Sequence, residues 1–197
     1  MPFLLGLLCV VALLFGACEL WNDRALNQPP GVLVGEEPLQ ENLSEAVPFK
    51  HGEFSVRPLA RFDARARVLS RELYRWDAGA SLAPVDLALG WGPMSDSAVV
   101  EKLDLWQDGR WYQFRAKAYP LPVDQLLRHS SNMHMIPADR AIEKAMRSVR
   151  KGQIVHFRGA LVEVSRQDGF VWRSSMTRND TGSGACELVY VESFEVL

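Results

Sequence analysis

The side chains best suited to nucleophilic chemistry are Cys186 and His134. A cysteine attacks a carbonyl as its thiolate, which requires a base such as histidine within hydrogen-bonding reach and donors for the oxyanion. Cys186 follows a polar glycine-rich stretch whose backbone amides could receive an anion, and this stretch also contains Asp180, a further candidate. These residues predict a cysteine-dependent hydrolase as the alternative function. The alternative is a structural role for both side chains, with Cys186 as a buried, inert thiol and His134 packed in the core between Met133 and Met135.

Other side chains are candidates for ligand binding without catalysis. Trp91 is flanked by Gly90 and Gly92, an arrangement that suits either close packing or an aromatic platform for a ligand. Asp86 could cap a turn or serve as an acid. Arg173 lies at the start of the polar segment that leads to the cysteine.

Composition restricts the remaining classes of site. The four histidines show no spacing typical of metal ligands, so neither a metal site nor a cofactor is expected. The formal net charge of -2 offers no attraction to a phosphate backbone, so nucleic-acid binding is not expected.

Three sequence blocks carry a family resemblance, and they read LAPVDLALGWGPMSD, SSNMHMIPA and RSSMTRNDTGSGACELVYVE. They resemble the corresponding blocks of a family of uncharacterised bacterial membrane-associated proteins with an apolar amino terminus. The likeness spans roughly residues 54 to 192. It implies a bacterial protein associated with a membrane, and it implies no reaction, cofactor or catalytic residue.

The amino terminus predicts membrane attachment. Residues 1–18 contain no charged side chain, and Phe3 to Ala17 is apolar apart from its glycines and Cys9. The uncharged stretch of about eighteen residues just reaches the lower limit for a helix that spans a bilayer. The segment is consistent with a retained transmembrane helix that places Trp21 at the interface. It is also consistent with a lipoprotein signal in which Cys18 is lipidated, or with an ordinary cleaved export signal.

Sidedness depends on few charges. Arg24 is the only basic residue close to the apolar segment, and the positive-inside rule alone would favour a domain facing the cytoplasm. A very short amino-terminal tail before an apolar segment is also typical of export signals, so we expect the domain to face the periplasm. The predicted function is a noncatalytic binding or assembly factor of the bacterial envelope, with an envelope protein or a cell-wall component as its partner.

The remaining chain divides into a linker and one domain. Residues 19–50 mix prolines, glycines and acidic residues without a sustained period, and Pro29-Pro30 favours extended backbone, so we expect a tether. Short apolar pieces such as residues 32–34 could still dock on the domain. Residues 51–197 are long enough to form one globular core.

Elements that would position the candidate residues are mainly strands. Alternation over residues 62–68 places Phe62, Ala64, Ala66 and Val68 on one face of a strand and leaves two arginines on a solvated face. Two-residue turns at Asp108-Gly109 and at Asp168-Gly169 predict two hairpins.

Helices are fewer and shorter. Pro137 to Val149 has helical periodicity, with Glu143 and Arg147 paired across one turn, and Ser95 could cap a short helix from Asp96. The predicted fold is therefore a β-rich α+β domain of antiparallel hairpins with one or two short helices. Its last three strands are expected to curl into a small barrel resembling an oligonucleotide- or oligosaccharide-binding fold.

Overall fold

The computed structural model describes residues 24–178 and 184–197, which form ten strands and three α-helices. The strands are β1 (Leu39–Asn42), β2 (Phe49–His51), β3 (Phe54–Leu73), β4 (Val85–Gly90), β5 (Asp104–Asp108), β6 (Trp111–Arg115), β7 (Ser130–Pro137), β8 (Ile154–Ser165), β9 (Val171–Arg173) and β10 (Glu187–Val196). The helices are α1 (Ser97–Val100), α2 (Val123–Arg128) and α3 (Arg140–Ser148). Within the described ranges no helix is long and apolar enough to cross a membrane, and the apolar segment with Cys18 lies outside them.

Five strands close into a ring in the order β3, β4, β7, β10, β8 and back to β3. All neighbours in this ring are antiparallel except β7 and β10, which run parallel. The helix α3 lies between β7 and β8 in the chain, and β9 extends the sheet beyond β8. The β-rich α+β prediction is confirmed. The ring, however, needs β3, β4 and β7 in addition to β8 and β10, so the last three strands do not close by themselves as expected.

The ring closes because β3 pairs with two different strands. It is 20 residues long, and its first part pairs with β8 whereas its last part pairs with β4. Arg67 belongs to both pairings, opposite Ile154 on β8 and opposite Gly90 on β4. The register then shifts between Val68 and Ser70, a bulge of the kind that bends a strand and increases its twist.

The alternation predicted for β3 is confirmed, with one exception. Phe62, Ala64, Ala66 and Val68 are buried in the core inside the ring, whereas Arg65 on the opposite face is exposed. The same core holds the following residues of β4, β7, β8, β10 and α3: Leu87, Leu89, Met133, Met135, Phe157, Val189 and Met146.

The exception is Arg67, which was expected to be solvated and is only 5% exposed. Its Nη1 donates to the Ser95 carbonyl at 3.0 Å and to Ser97 Oγ at 2.9 Å. The expected cap also differs, because Asp96 caps α1 by accepting from the amide of Ala98, and α1 begins at Ser97. Ser95 instead accepts from the amide of Val34 at 3.0 Å.

Much of the segment expected to form a tether lies on the domain. The amide of Leu26 donates to the Lys151 carbonyl at 2.7 Å, and the Val34 carbonyl accepts from the Gly92 amide at 2.7 Å. Val34 is buried in the main core, as the apolar character of residues 32–34 allowed. Later residues form β1 and β2, which pair with β3. The composition of this segment did not reveal β1 and β2, because these strands are short and are hydrogen-bonded to β3.

The close approach of β8 and β10 depends on a single glycine. A Cβ built on Gly159 would lie 1.8 Å from the carbonyl oxygen of Tyr190, a backbone atom that cannot rotate away. We therefore expect Gly159→Ala to lower the free energy of unfolding by about 2 to 3 kcal/mol, measured by urea denaturation. Gly35→Ala is the matched control, because no atom lies within 4 Å of its added methyl group. Equal stabilities of the two variants would contradict this account.

Candidate functional site

The candidate site is built on Asp86, a carboxylate in the middle of β4. Val85 and Leu87 face the core of the ring, so Asp86 points to the outer face, where it is nevertheless 0% exposed. Its Oδ1 accepts from Arg110 Nη1 at 3.0 Å, and its Oδ2 lies 2.9 Å from His134 Nδ1. A carboxylate removed from water requires such partners, because desolvation of an unpaired charge costs several kcal/mol.

Arg110 reaches Asp86 from the tip of the hairpin formed by β5 and β6. The predicted turn was Asp108-Gly109, but Asp108 pairs with Trp111, so Gly109 and Arg110 form the two-residue turn. Both have positive φ, 56° and 68°, as a type I′ turn requires. Arginine is an unfavourable residue for this conformation, and its side chain compensates by bonding to the ring.

The guanidinium of Arg110 has a partner on every side. It forms a bidentate pair with Asp77, at 2.9 Å and 2.8 Å, and Nη1 also donates to the Ala83 carbonyl at 3.0 Å. Its carbon lies 3.9 Å from the ring centroid of Tyr74. The hydrogen bonds from Arg110 lower the pKa of Asp77, whereas burial, followed by the nearby Asp86 charge, raises the pKa of Tyr74 to about 12.

His134 lies beside Asp86 because β4 and β7 pair those two residues directly. The contact between His134 and Asp86 is short, but the imidazole is not aligned for a hydrogen bond. Trp172, just after the start of β9, covers the imidazole with ring centroids 4.7 Å apart. His134 is therefore only 4% exposed, and its imidazole is shielded from a substrate in solution.

Cys186 approaches this cluster through Asn132 and not through His134. Its Sγ lies 3.9 Å from Asn132 Nδ2 and 3.9 Å from the Arg110 carbonyl oxygen. Asn132 in turn accepts from Gln107 at 2.6 Å and donates to the Arg110 carbonyl at 3.0 Å. The sulfur thus approaches Asn132 and the Arg110 carbonyl, whereas the imidazole of His134 contacts Asp86.

A pocket of about 130 Å³ adjoins Cys186 at the seam between the hairpin and the ring. We call it the hairpin pocket, and its lining consists of Trp111, Tyr112, Leu127, Ser130, Ser131, Asn132, Arg178, Ala185, Cys186 and Glu187. Trp111 is 40% exposed at its mouth, whereas Glu187 is 3% exposed and accepts a hydrogen bond from the Ser131 hydroxyl. The pocket therefore combines an aromatic surface with charged and hydroxyl groups.

The remaining candidates lie elsewhere. Trp91 is 0% exposed in the main core, so it presents no face to a ligand. Arg173 is exposed on β9 and pairs with Glu163, whose pKa is lowered by hydrogen bonds from Arg57 and Arg173. Asp180 and Cys18 fall outside the described residues.

The structure brings Asp86, His134 and Cys186 together because β4, β7 and β10 are neighbours in the ring. These strands belong to the three sequence blocks, which explains why the blocks share one region. Sequence reasoning missed the residues that connect them, namely Arg110, Asp77, Asn132, Trp111 and Trp172. The sequence contained one signal for Arg110. This residue directly follows Asp108-Gly109, so a shift of the strand register by one residue moves it into the turn.

The fold and the cluster define a β-rich α+β domain with a paired carboxylate on the outer face of a five-stranded ring. Comparison of the chain with protein-family models, curated proteins and solved structures finds no match. Within residues 24–178 and 184–197, no group of three or more His, Cys, Asp or Glu residues could hold a metal ion.

Loss of the Arg110 guanidinium should destabilise the fold. We expect Arg110→Met to lower the free energy of unfolding by about 3 kcal/mol, because Asp86 would remain buried without its cation. Arg115→Met is the matched control on the same hairpin, where the pair with Asp104 is exposed (74% and 59%) and should contribute less than about 1 kcal/mol. Denaturant unfolding of both variants checks this. Similar losses would show that Asp86 does not depend on Arg110.

Proposed function

We propose that this chain is a noncatalytic binding protein of the bacterial envelope, attached to a membrane by its apolar amino terminus, with its domain facing the periplasm. Its ligand, we infer, is a cell-wall component that enters the hairpin pocket. The proposal rests on the contrast between the saturated cluster around Asp86, in which the charged groups already bind one another, and the pocket that adjoins it. Groups with catalytic potential are used to hold the fold together, whereas the pocket presents an aromatic residue to solvent.

The saturated cluster argues against catalysis. A general base must reach the proton that it removes, and a nucleophile must lie beside its base. His134 is covered by Trp172 and contacts Asp86, and Cys186 contacts Asn132. The Arg110 guanidinium is held by Asp77, Asp86 and the Ala83 carbonyl. His134 and Arg110 are thereby occupied within the fold, and Cys186, which lines the pocket, has Asn132 as a neighbour.

A fold-level analogy supports a binding role. In oligonucleotide- and oligosaccharide-binding folds, which also contain five strands, ligands bind over the second and third strands and the loops beside them. The corresponding strands of this ring are β4 and β7, and the inserted hairpin covers much of their outer face. The hairpin pocket lies where that cover ends. The net charge of -2 favours an uncharged or mixed-charge ligand over a nucleic acid.

The pocket lining has the character of a specific binding site. Such sites pair apolar and aromatic surface with a few placed polar groups that orient the ligand. Trp111 and Leu127 supply the apolar surface, and Ser131, Arg178 and Glu187 supply the polar groups. An exposed tryptophan at the mouth can cover one face of a sugar ring or an apolar side chain.

The first test is binding to the cell wall. We expect the detergent-solubilised protein to co-sediment with purified bacterial cell-wall sacculi, and Trp111→Ala to weaken the apparent affinity about tenfold because the aromatic surface at the pocket mouth is lost. Trp76→Ala is the matched control, because Trp76 is 95% exposed and does not line the pocket.

Cys186→Ala separates binding from catalysis in the same assay. A binding protein should leave the sacculi intact whether or not the thiol is present. Failure of the wild-type protein to sediment, or equal losses in the two tryptophan variants, would contradict the proposed site. Release of soluble fragments by the wild-type protein but not by Cys186→Ala would instead support the cysteine hydrolase.

The second test concerns the membrane. We expect the protein to remain with membranes after an alkaline carbonate wash, and an alkaline phosphatase fused after Leu197 to be active, because that enzyme requires the periplasm. Metabolic labelling with a fatty acid decides the manner of attachment, since a lipoprotein loses the label in Cys18→Ser whereas a transmembrane helix is never labelled. Recovery in the soluble fraction would contradict membrane attachment, and an inactive fusion would favour the cytoplasmic side.

A further inference from the structure

Residues 26–34, which we call the strap, bind to one end of the domain at the turn between α3 and β8. The amide of Leu26 donates to the Lys151 carbonyl at 2.7 Å. The side-chain amide of Gln28 donates to the carbonyl of the next residue, Gly152, at 2.9 Å. The chain that precedes the strap is therefore attached to the domain at this turn.

Gly152 allows the strap to lie directly on the turn. It is buried and has a positive φ of 92°. A Cβ built on it would lie 2.1 Å from the carbonyl oxygen of Leu26, a backbone atom that no side-chain rotation can move away. The strap and the turn are thus packed backbone against backbone, and the point of attachment is fixed.

The short chain between the apolar segment and the strap limits how far this turn can lie from a membrane. Eight residues, 18–25, separate Ala17 from Leu26. Even a fully extended chain of this length reaches only about 30 Å, or about 17 Å if it is measured from Trp21 at the interface. A domain of this size is roughly 40 Å across. With the apolar segment in a bilayer, the turn must lie on the side of the domain that faces the lipid.

The charges of the chain are distributed unevenly, and this end of the domain has a basic excess. The whole sequence has 22 basic and 24 acidic residues. Residues 140–153, which lead through α3 into the turn, contain five basic residues and one acidic residue, Glu143. That carboxylate pairs with Arg147 at 2.7 Å. Residues 24–34 contain one basic residue and no acidic one.

Three of these basic residues surround the point of attachment. Arg150 and Lys151 belong to the turn, and Arg24 lies two residues before Leu26, whose amide binds the Lys151 carbonyl. We call Arg24, Arg150 and Lys151 the basic end. The acidic Asp96 contacts the strap further along, where two backbone amides bind its carboxylate. The positive charges therefore lie where the chain requires the domain to approach the lipid.

We propose that the basic end lies on the surface of a lipid bilayer and binds the phosphate-containing headgroups of anionic lipids. This inference rests on the proposed function, because it requires the apolar amino terminus to be in the membrane. An anionic bilayer attracts basic side chains within a Debye length of about 10 Å at 0.1 M salt. The anchor makes this contact intramolecular, so a few charges are sufficient. The domain then has one preferred orientation on the membrane.

Lysine acetylation of the wild-type, full-length protein in vesicles tests this contact. Lys151 reports on the basic end, and Lys50 is the internal control. Lys50 pairs with Ser55, which pairs with Ser165 at the other end of β8. It therefore lies roughly 35 Å along that strand from the turn.

We expect vesicles that contain phosphatidylglycerol to slow the acetylation of Lys151 at least about threefold relative to vesicles of phosphatidylcholine alone. The reagent is uncharged, and mass spectrometry measures the rate at each lysine. Acetylation of Lys50 should not depend on the lipid, and high salt should remove the protection of Lys151 because it screens the attraction. Equal rates at Lys151 in the two kinds of vesicle would overturn the proposal.

Charge reversal tests the residues of the basic end. We expect Arg150→Glu to abolish the protection of Lys151 by phosphatidylglycerol. Arg61→Glu is the matched control, because Arg61 is 76% exposed on β3 and lies opposite Ala160, six residues beyond the start of β8. Equal effects of the two variants would contradict the assigned surface. If Arg150→Glu does not fold, the comparison of the two lipids on the wild-type protein remains decisive.

This proposal and the proposed membrane attachment can fail separately. A protein that stays with membranes after the carbonate wash, but whose Lys151 is acetylated at the same rate in both kinds of vesicle, is attached without this contact. A protein that is recovered in the soluble fraction of cells, but whose Lys151 is protected only by phosphatidylglycerol, has the basic surface without the anchor. Binding to sacculi through Trp111 is independent of both outcomes.

Discussion

The fold depends on one buried carboxylate. Asp86 is fully enclosed on the outer face of β4, so the chain must bring a positive charge to it or lose the stability of the native state. Arg110 supplies that charge from the tip of a hairpin inserted between β4 and β7 in the sequence. The hairpin is thereby fixed against the ring, even though β5 and β6 pair only with each other.

The same ion pair organises the surrounding loops. Arg110 holds Asp77, which orders the loop after β3, and its carbonyl accepts from Asn132 on β7. Trp172 then covers His134, which joins the chain after β8 to the same cluster. Four separate segments thus meet at one charge. This arrangement explains why side chains of the kinds used in catalysis lie close together here. They hydrogen-bond to one another to hold these segments in place.

Sequence patterns predicted the parts of this structure that depend on local periodicity. Alternation along β3 and the Glu143–Arg147 pair on α3 follow from near neighbours, and both are present. The closure of the ring could not be predicted, because it depends on a bulge near Leu69 and on pairing between β3 and β8 about a hundred residues apart. Arg110 was missed for a similar reason. This turn position favours glycine, and it accepts an arginine here because the guanidinium binds Asp86 and Asp77.

The position of the hairpin pocket follows from that constraint. Its wall includes Trp111 and Tyr112, which follow Arg110 directly on β6, so the ion pair that fixes Arg110 also fixes the wall. The opposite side is provided by Ser131 and Asn132 on β7 and by Glu187 on β10, strands that belong to the ring itself. A ligand at this seam would contact both the ring and the hairpin. Its binding energy would therefore add to the stability of the docked hairpin, and a loosened hairpin would weaken binding without any change in the groups that touch the ligand.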